Sequence, residues 1–294
     1  MENLNIDNKY INNEKQGVIK ENTKFDEKDT EEQEIKKKLN DLLSKIECFD
    51  PSNWAKIHDK LNSGMIGTCL TSKDCYRIGF IKVLIDKAKE SNIHFAKDGN
   101  NFYIYNNQYW IKISEDLLKS FLHMAAQKMG IPIGLSSCVK FIKSTYEQLI
   151  ESGFFEKMIQ DNVTYLNVLN GTIKIDLDGV NLRDFDSKHF LTHQLDFEYD
   201  KNRVNQVWLD FLNKVLPDKD TQKTLQQAIG YLFIKDLKLE KVIFLYGIGS
   251  NGKSVIFEII KGILSVDMMT NYSLASLTNH LGYQLADLNN KLIN

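Results

Sequence analysis

Apolar residues recur along this chain with two periods, and the switches between them mark its elements. Residues 1–32 set few large apolar groups among Asn, Lys, Glu and Asp. Such a segment cannot bury enough surface to offset the entropy of ordering it, which predicts a disordered tail. From Ile35 a stripe of Ile35, Leu39, Leu42, Leu43 and Ile46 follows the helical period. Pro51-Ser52 opens a short helix with Trp54, Ile57 and Leu61, and a third helix runs from about Ser72 to Glu90. Together these predict a small helical region over 33–92.

At Ile93 the period shortens. Phe102, Tyr103, Ile104 and Tyr105, a turn at Asn106-Asn107, then Tyr109, Trp110, Ile111 and Ile113 spell a β-hairpin. Two amphipathic helices follow, one with Leu117, Phe121, Leu122 and Ala125, the other with Val139, Ile142, Tyr146, Leu149 and Ile150. A β segment from Val163 to Ile175 is broken by Asn170-Gly171. The block reads as one α+β domain over 93–203. Two helices then flank Pro217, which stops one and starts the next. Val204, Val207, Trp208, Phe211, Leu212 and Val215 mark the first, and Leu225, Ala228, Ile229, Leu232 and Phe233 the second. They predict a helical region over 204–240. The run Lys241–Tyr246 reads as a buried parallel strand.

Composition narrows the class. The hydrophobic share of 43% and charged share of 26% are ordinary for a globular chain. No apolar run is long enough to span a membrane, and the polar N-terminus predicts no secretory signal. A cytoplasmic protein is expected. The formal net charge of −2 means that any nucleic-acid contact has to be local. Cys48, Cys69, Cys75 and Cys138 form no C-x-x-C pair, so buried free thiols are expected instead of a zinc or redox site.

Directly after the strand-like run stands Gly247-Ile248-Gly249-Ser250-Asn251-Gly252-Lys253-Ser254, which fits G-x-x-x-x-G-K-[ST]. Ile256, Ile259, Ile260 and Ile263 then share one helix face. A triphosphate needs many donors in a small space. Glycines let backbone N–H groups converge without a side chain in the way. The start of the helix adds unpaired N–H groups and the positive end of its dipole. Lys253 would bring a mobile charge to the β- and γ-phosphates, as the residue on which catalysis depends, and Ser254 a hydroxyl for Mg²⁺. Residues 247–254 are therefore the predicted ATP site, with Mg²⁺ as the metal. The motif does not tell a kinase from a GTPase or a translocase.

The core Asn251-Gly252-Lys253-Ser254 resembles the superfamily 3 helicases of phage and plasmid primase–helicases. Upstream, Trp208–Leu212 and Gln226–Tyr231 look like the helical lead-in of that family, and Asn167–Ile175 is similar to its recurring Asn-Gly hairpin. Tyr103-x-Tyr105 followed by Tyr109-Trp110 resembles the start of the domain shared with poxvirus primase–helicases. The resemblance covers roughly 93–294. It implies an α+β N-terminal domain with helical segments, followed by the start of an α/β P-loop (AAA+-like) ATPase over 241–294. It also implies a homo-hexameric ring on single-stranded or forked DNA, 3′→5′ unwinding driven by ATP, and replication partner proteins. Ile248 stands where the family often has Pro. Lys291–Asn294 looks like the start of a Walker B strand, with no acidic pair, sensor Asn or arginine finger after it. The expectation is an N-terminal fragment that binds nucleotide and hydrolyses it poorly. The alternative is a non-hydrolysing module that binds DNA or a replication partner; a small-molecule kinase finds no acceptor site in the sequence.

Other constellations are set aside. Asp176-Leu177-Asp178 resembles a two-metal carboxylate pair but sits beside Gly179, and a turn is expected. His189 and His193 have Phe190 where a zinc protease would need Glu, in a stretch read as extended. The aromatics of 102–110 are read as cross-strand pairs before base-stacking platforms. Lys36-Lys37-Lys38 reads as a solvated helix face.

Overall fold

A computed structural model describes residues 29–48, 72–151, 163–234, 243–249 and 251–264, with isolated positions at 56, 59, 63, 237, 269, 272 and 273. Among the described residues the chain is mixed α and β, with two small antiparallel sheets. It divides into two compact units, Met1–Lys157 and Met158–Asn294. The division falls inside the 93–203 span.

In the first unit, helix α1 covers 29–45 and α2 covers Ser72–Glu90. A three-stranded meander follows, β1 (Phe95–Asp98), β2 (Asn101–Tyr105) and β3 (Trp110–Ile113). Then come α3 (Glu115–Lys128), a short α4 (Ile133–Ser136) and α5 (Val139–Glu151). The predicted stripes meet in one core. Leu42 of α1 joins Phe80 and Leu84 of α2, Ile104 of β2, Phe121 and Leu122 of α3, and Leu149 of α5. The two leading helices thus share their core with the residues that follow Ile93.

Helix α1 already includes residues 29–32, inside the span expected to be tail; residues 1–28 lie outside the described set, as does the helix expected around Trp54, Ile57 and Leu61. The turn between β2 and β3 helps to hold these helical residues. Asn106 Oδ1 accepts from the backbone N–H of Gln108 (2.9 Å) and of Tyr109 (2.7 Å). Its amide donates to Glu34 of α1 at 3.2 Å, and Tyr109 Oη donates to Glu31 at 3.2 Å. Polar residues of the first turns are therefore held by tertiary partners that a composition argument does not include. At the other end of α1, Lys128 Nζ donates to the carbonyls of Leu43 (2.7 Å) and Ser44 (3.1 Å). It places a cation where the helix dipole is negative. Lys97 Nζ does the same for Ile150 near the end of α5, at 2.8 Å.

In the second unit, β4 (Thr164–Val168), β5 (Gly171–Asp176) and β6 (Gly179–Arg183) form the other meander. Val168 pairs with Gly171 across the Asn170-Gly171 turn, as the sequence predicts. Leu166, Val168, Ile173 and Ile175 pack on one face with Leu195, Phe197, Tyr199 and Phe233. The segment around 194–199 closes the free edge of β4. Leu195 N–H donates to Asn167 O at 2.9 Å and Leu169 N–H to Phe197 O at 2.9 Å. The Asn170 amide exchanges two 3.0 Å hydrogen bonds with the Tyr199 backbone. Helices α6 (Gln206–Val215) and α7 (Lys219–Tyr231) follow, capped by Asn205 and Asp218. The last described helix is α8 (Lys253–Ile263). Leu212 of α6, Leu225 of α7 and Ile256 of α8 form a small cluster with Trp208, Phe211, Ile229 and Ile260 around it.

One expected strand is corrected. The described residues of Lys241–Tyr246, Ile243 to Tyr246, form no strand. They are exposed, at 53%, 77%, 44% and 93% respectively. A buried parallel strand is held by neighbours on both edges and layers on both faces. Among the described residues no strand pairs with this run.

Candidate functional site

The chemistry predicted from the sequence gathers at the start of α8. Gly252 takes the N-cap position of that helix with φ +85°, and no side chain caps it. Gly249 also has positive φ, +45°. These two residues turn the chain into the helix, and the N-cap itself has no side chain to cap the first-turn N–H groups. Close approach is required at both ends of the loop. A Cβ on Gly247 would collide with the Asn251 amide. A Cβ on Gly252 would lie 2.8 Å from Phe211 Cζ and 3.1 Å from Val215 Cγ1, both on α6.

Lys253 folds back over the loop. Its ammonium donates to Gly247 O at 3.0 Å and to Asn251 Oδ1 at 2.6 Å. Ser254 is exposed in the first turn of α8, and Ile248 is 91% exposed at the loop tip. Gly247, Gly249, Asn251, Gly252, Lys253 and Ser254 are thus brought together, while Ser250 lies outside the described residues. So do Lys291–Asn294. Both acceptors of Lys253 are neutral. An anionic oxygen forms a charge-assisted bond of about twice the strength, so a phosphate would draw the ammonium away from them.

The remaining candidates resolve into structure. Asp176 Oδ1 accepts from Asp178 N–H at 3.0 Å, closing the β5–β6 turn, and pairs with Lys174 at 2.6 Å. The Lys174 hydrogen bond holds the Asp176 carboxyl below its usual range. His189 lies in a 3-10 turn (Ser187–His189) followed by a left-handed Phe190, not in the extended stretch expected. Its ring stacks on Tyr165, with centroids 3.7 Å apart. No cluster of three metal-ligating side chains occurs among the described residues. Phe102, Tyr103, Tyr105 and Trp110 are buried, and the rings of Tyr105 and Trp110 pack at 5.2 Å across the strand pair. Lys36 pairs with Glu32 along α1 at 2.5 Å on an exposed face. Of the thiols described, Cys75 is buried as expected, whereas Cys48 and Cys138 are exposed; none of the three is in a disulfide. Backbone N–H groups of Phe141 and Lys140 lower the Cys138 pKa.

Phe211 carries no functional signal in the sequence, where it is one member of the apolar stripe of its helix. Its contact with Gly252 joins positions far apart in the chain, and no local signal announces it. Among the described residues, no helix is long and apolar enough to cross a membrane. Residues 82–217 match the family model described as D5 N terminal like. No curated protein is significantly similar to the chain.

Proposed function

Proceeding from a D5 N-terminal-like domain over residues 82–217, the N-terminal domain of phage and poxvirus primase–helicases, we propose that the chain is part of an ATP-dependent DNA helicase of superfamily 3. It serves the replication of a phage, plasmid or similar element. The observation that carries this reading is the loop at 247–254, which begins thirty residues after the family match ends at 217. A family domain associated with helicases and a G-x-x-x-x-G-K-S loop follow each other in the order such an enzyme needs.

The donor set suits a triphosphate. Nothing lies within 4 Å of a Cβ placed on Gly249, which leaves the loop backbone open to an anion there, and the uncapped start of α8 offers N–H groups and a favourable dipole. Lys253 gives up its two neutral acceptors and neutralises the β- and γ-phosphates. Gly247, Ile248, Gly249, Ser250, Asn251 and Gly252 shape the cradle. Ser254 offers the hydroxyl that would hold Mg²⁺, whose charge offsets that of the phosphate oxygens when bound. Positioning and charge neutralisation supply most of the catalysis of phosphoryl transfer, so Lys253 is the residue of this set on which turnover depends most. The α/β ATPase over 241–294, the collar over 204–240 and a hexameric ring on single-stranded or forked DNA belong to the same proposal, as do replication partner proteins.

The test is ATP hydrolysis with and without single-stranded DNA, measured in the full gene context beside Lys253→Ala. DNA-stimulated hydrolysis that vanishes with Lys253→Ala supports the helicase. DNA binding without nucleotide dependence, and no hydrolysis, would replace it with a non-hydrolysing module that docks DNA or a replication partner.

A further inference from the structure

Resting on that reading of the 247–254 loop, we infer that Phe211 is a positioning residue for the phosphate site and couples its occupancy to helix α6. Gly252 stands at the hinge between loop and helix α8, with φ +85°. The face it would cover with a Cβ is filled by the Phe211 ring edge and by Val215, at 2.8 and 3.1 Å from that Cβ position. Phe211 in turn stacks on Trp208, one turn earlier on the same helix, with centroids 5.5 Å apart and planes at 21°. A continuous line of contacts therefore runs from the N-cap of the phosphate helix through Phe211 to Trp208.

The first-turn N–H groups that would meet a phosphate belong to the residues directly after Gly252. Their direction depends on how Gly252 is held, and a packed ring has discrete positions more readily than a continuous range. Anion binding that draws the loop amides toward the ligand shifts Gly252 against the Phe211 edge, and α6 feels the shift. The helix that leads out of the D5 N-terminal-like domain thereby reports the state of the nucleotide loop.

The test uses the full 294-residue chain, with ATP·Mg²⁺ titrated by calorimetry and Trp emission recorded in parallel. Phe211→Ala removes the contact. Phe211→Tyr keeps the ring but adds a hydroxyl at Cζ, the atom nearest the Gly252 Cβ position, and it guards against a misfolded alanine variant. Trp208→Phe identifies the source of the emission change, and Lys253→Ala tests the loop itself. Expected is a nucleotide-induced emission change in the wild type that Trp208→Phe and Lys253→Ala abolish. Both Phe211 variants should weaken binding about three- to thirtyfold and lose the emission change, with Phe211→Tyr melting close to the wild type. Lys253-dependent binding that both Phe211 variants leave intact overturns this inference and spares the ATP site. Absence of ATP binding in the folded wild type overturns both.

Discussion

Gly171 opens β5 in a backbone conformation, φ +147°, that side chains seldom accept. A Cβ there would fall closer to Arg183 O than the 3.0 Å that real Cβ atoms respect, and it would sit 3.1 Å from Leu182 Cδ1. The Arg183 oxygen belongs to the backbone of β6, which pairs with β5 at Thr172, so it cannot rotate aside. Gly171→Ala therefore meets two costs. The sparsely populated backbone region costs about 1–3 kcal/mol, and forcing a methyl into a packed strand pair costs about 1–3 kcal/mol more. The expected destabilisation is about 2–6 kcal/mol. Gly179→Ala is the internal control: its φ is +121°, but nothing lies within 4 Å of the added Cβ. It bears only the backbone cost, about 1–3 kcal/mol. Urea unfolding followed by far-UV circular dichroism compares the two with the wild type. If both variants lose the same stability within about 0.5 kcal/mol, roughly the error of comparing such mutants, the close packing of β5 against β6 is refuted.

Three further outcomes are expected. Thr172 Oγ1 donates to Asn167 Oδ1 at 2.6 Å in a buried pair, so Thr172→Val should cost about 1–3 kcal/mol in the same urea assay, and a neutral result would argue against the pair. Trp110 is 1% exposed, so Trp110→Ala should destabilise by about 3–5 kcal/mol; a folded, fully stable variant that had lost DNA binding would instead make this ring a base platform. Asp218 caps α7 by accepting from the Thr221 hydroxyl and N–H, which lowers its pKa. A carboxyl depressed in the folded state stabilises above its unfolded pKa, about 3.9, and that contribution is lost as pH falls through the lower folded value. Asp218→Asn should therefore flatten the acid end of the stability–pH curve, and a curve unchanged below pH ~4 would contradict the cap.

The elements legible in the sequence are those whose signal is local. The aromatic alternation and Asn turn at 102–113 predict β2 and β3, and Asn170-Gly171 predicts the β4–β5 turn. Pro217 marks the boundary between α6 and α7 because its ring constrains the backbone beside it. Strands β1 and β6 were not legible. Phe95–Asp98 and Gly179–Arg183 are short, the second has mostly exposed side chains, and each is fixed by a neighbouring strand. The run ending at Tyr246 shows the converse error, since an apolar stretch states what it could bury and not whether a neighbour is there to cover it. At the candidate site the motif at 247–254 is visible residue by residue, because its glycines and Lys253 fall within eight positions. The contact of Phe211 with Gly252 is not, because it arises from packing across the fold.

The central claim is that residues 247–254 hold a nucleotide through Lys253. The most direct measurement is calorimetric titration of ATP·Mg²⁺ into the folded 294-residue chain and into its Lys253→Ala variant. One saturable site in the wild type, weakened at least tenfold by removing a charge-assisted partner worth about 1.5–3 kcal/mol, is the result the account predicts. Equal affinity in both proteins, or no binding by either while both remain folded, would contradict it.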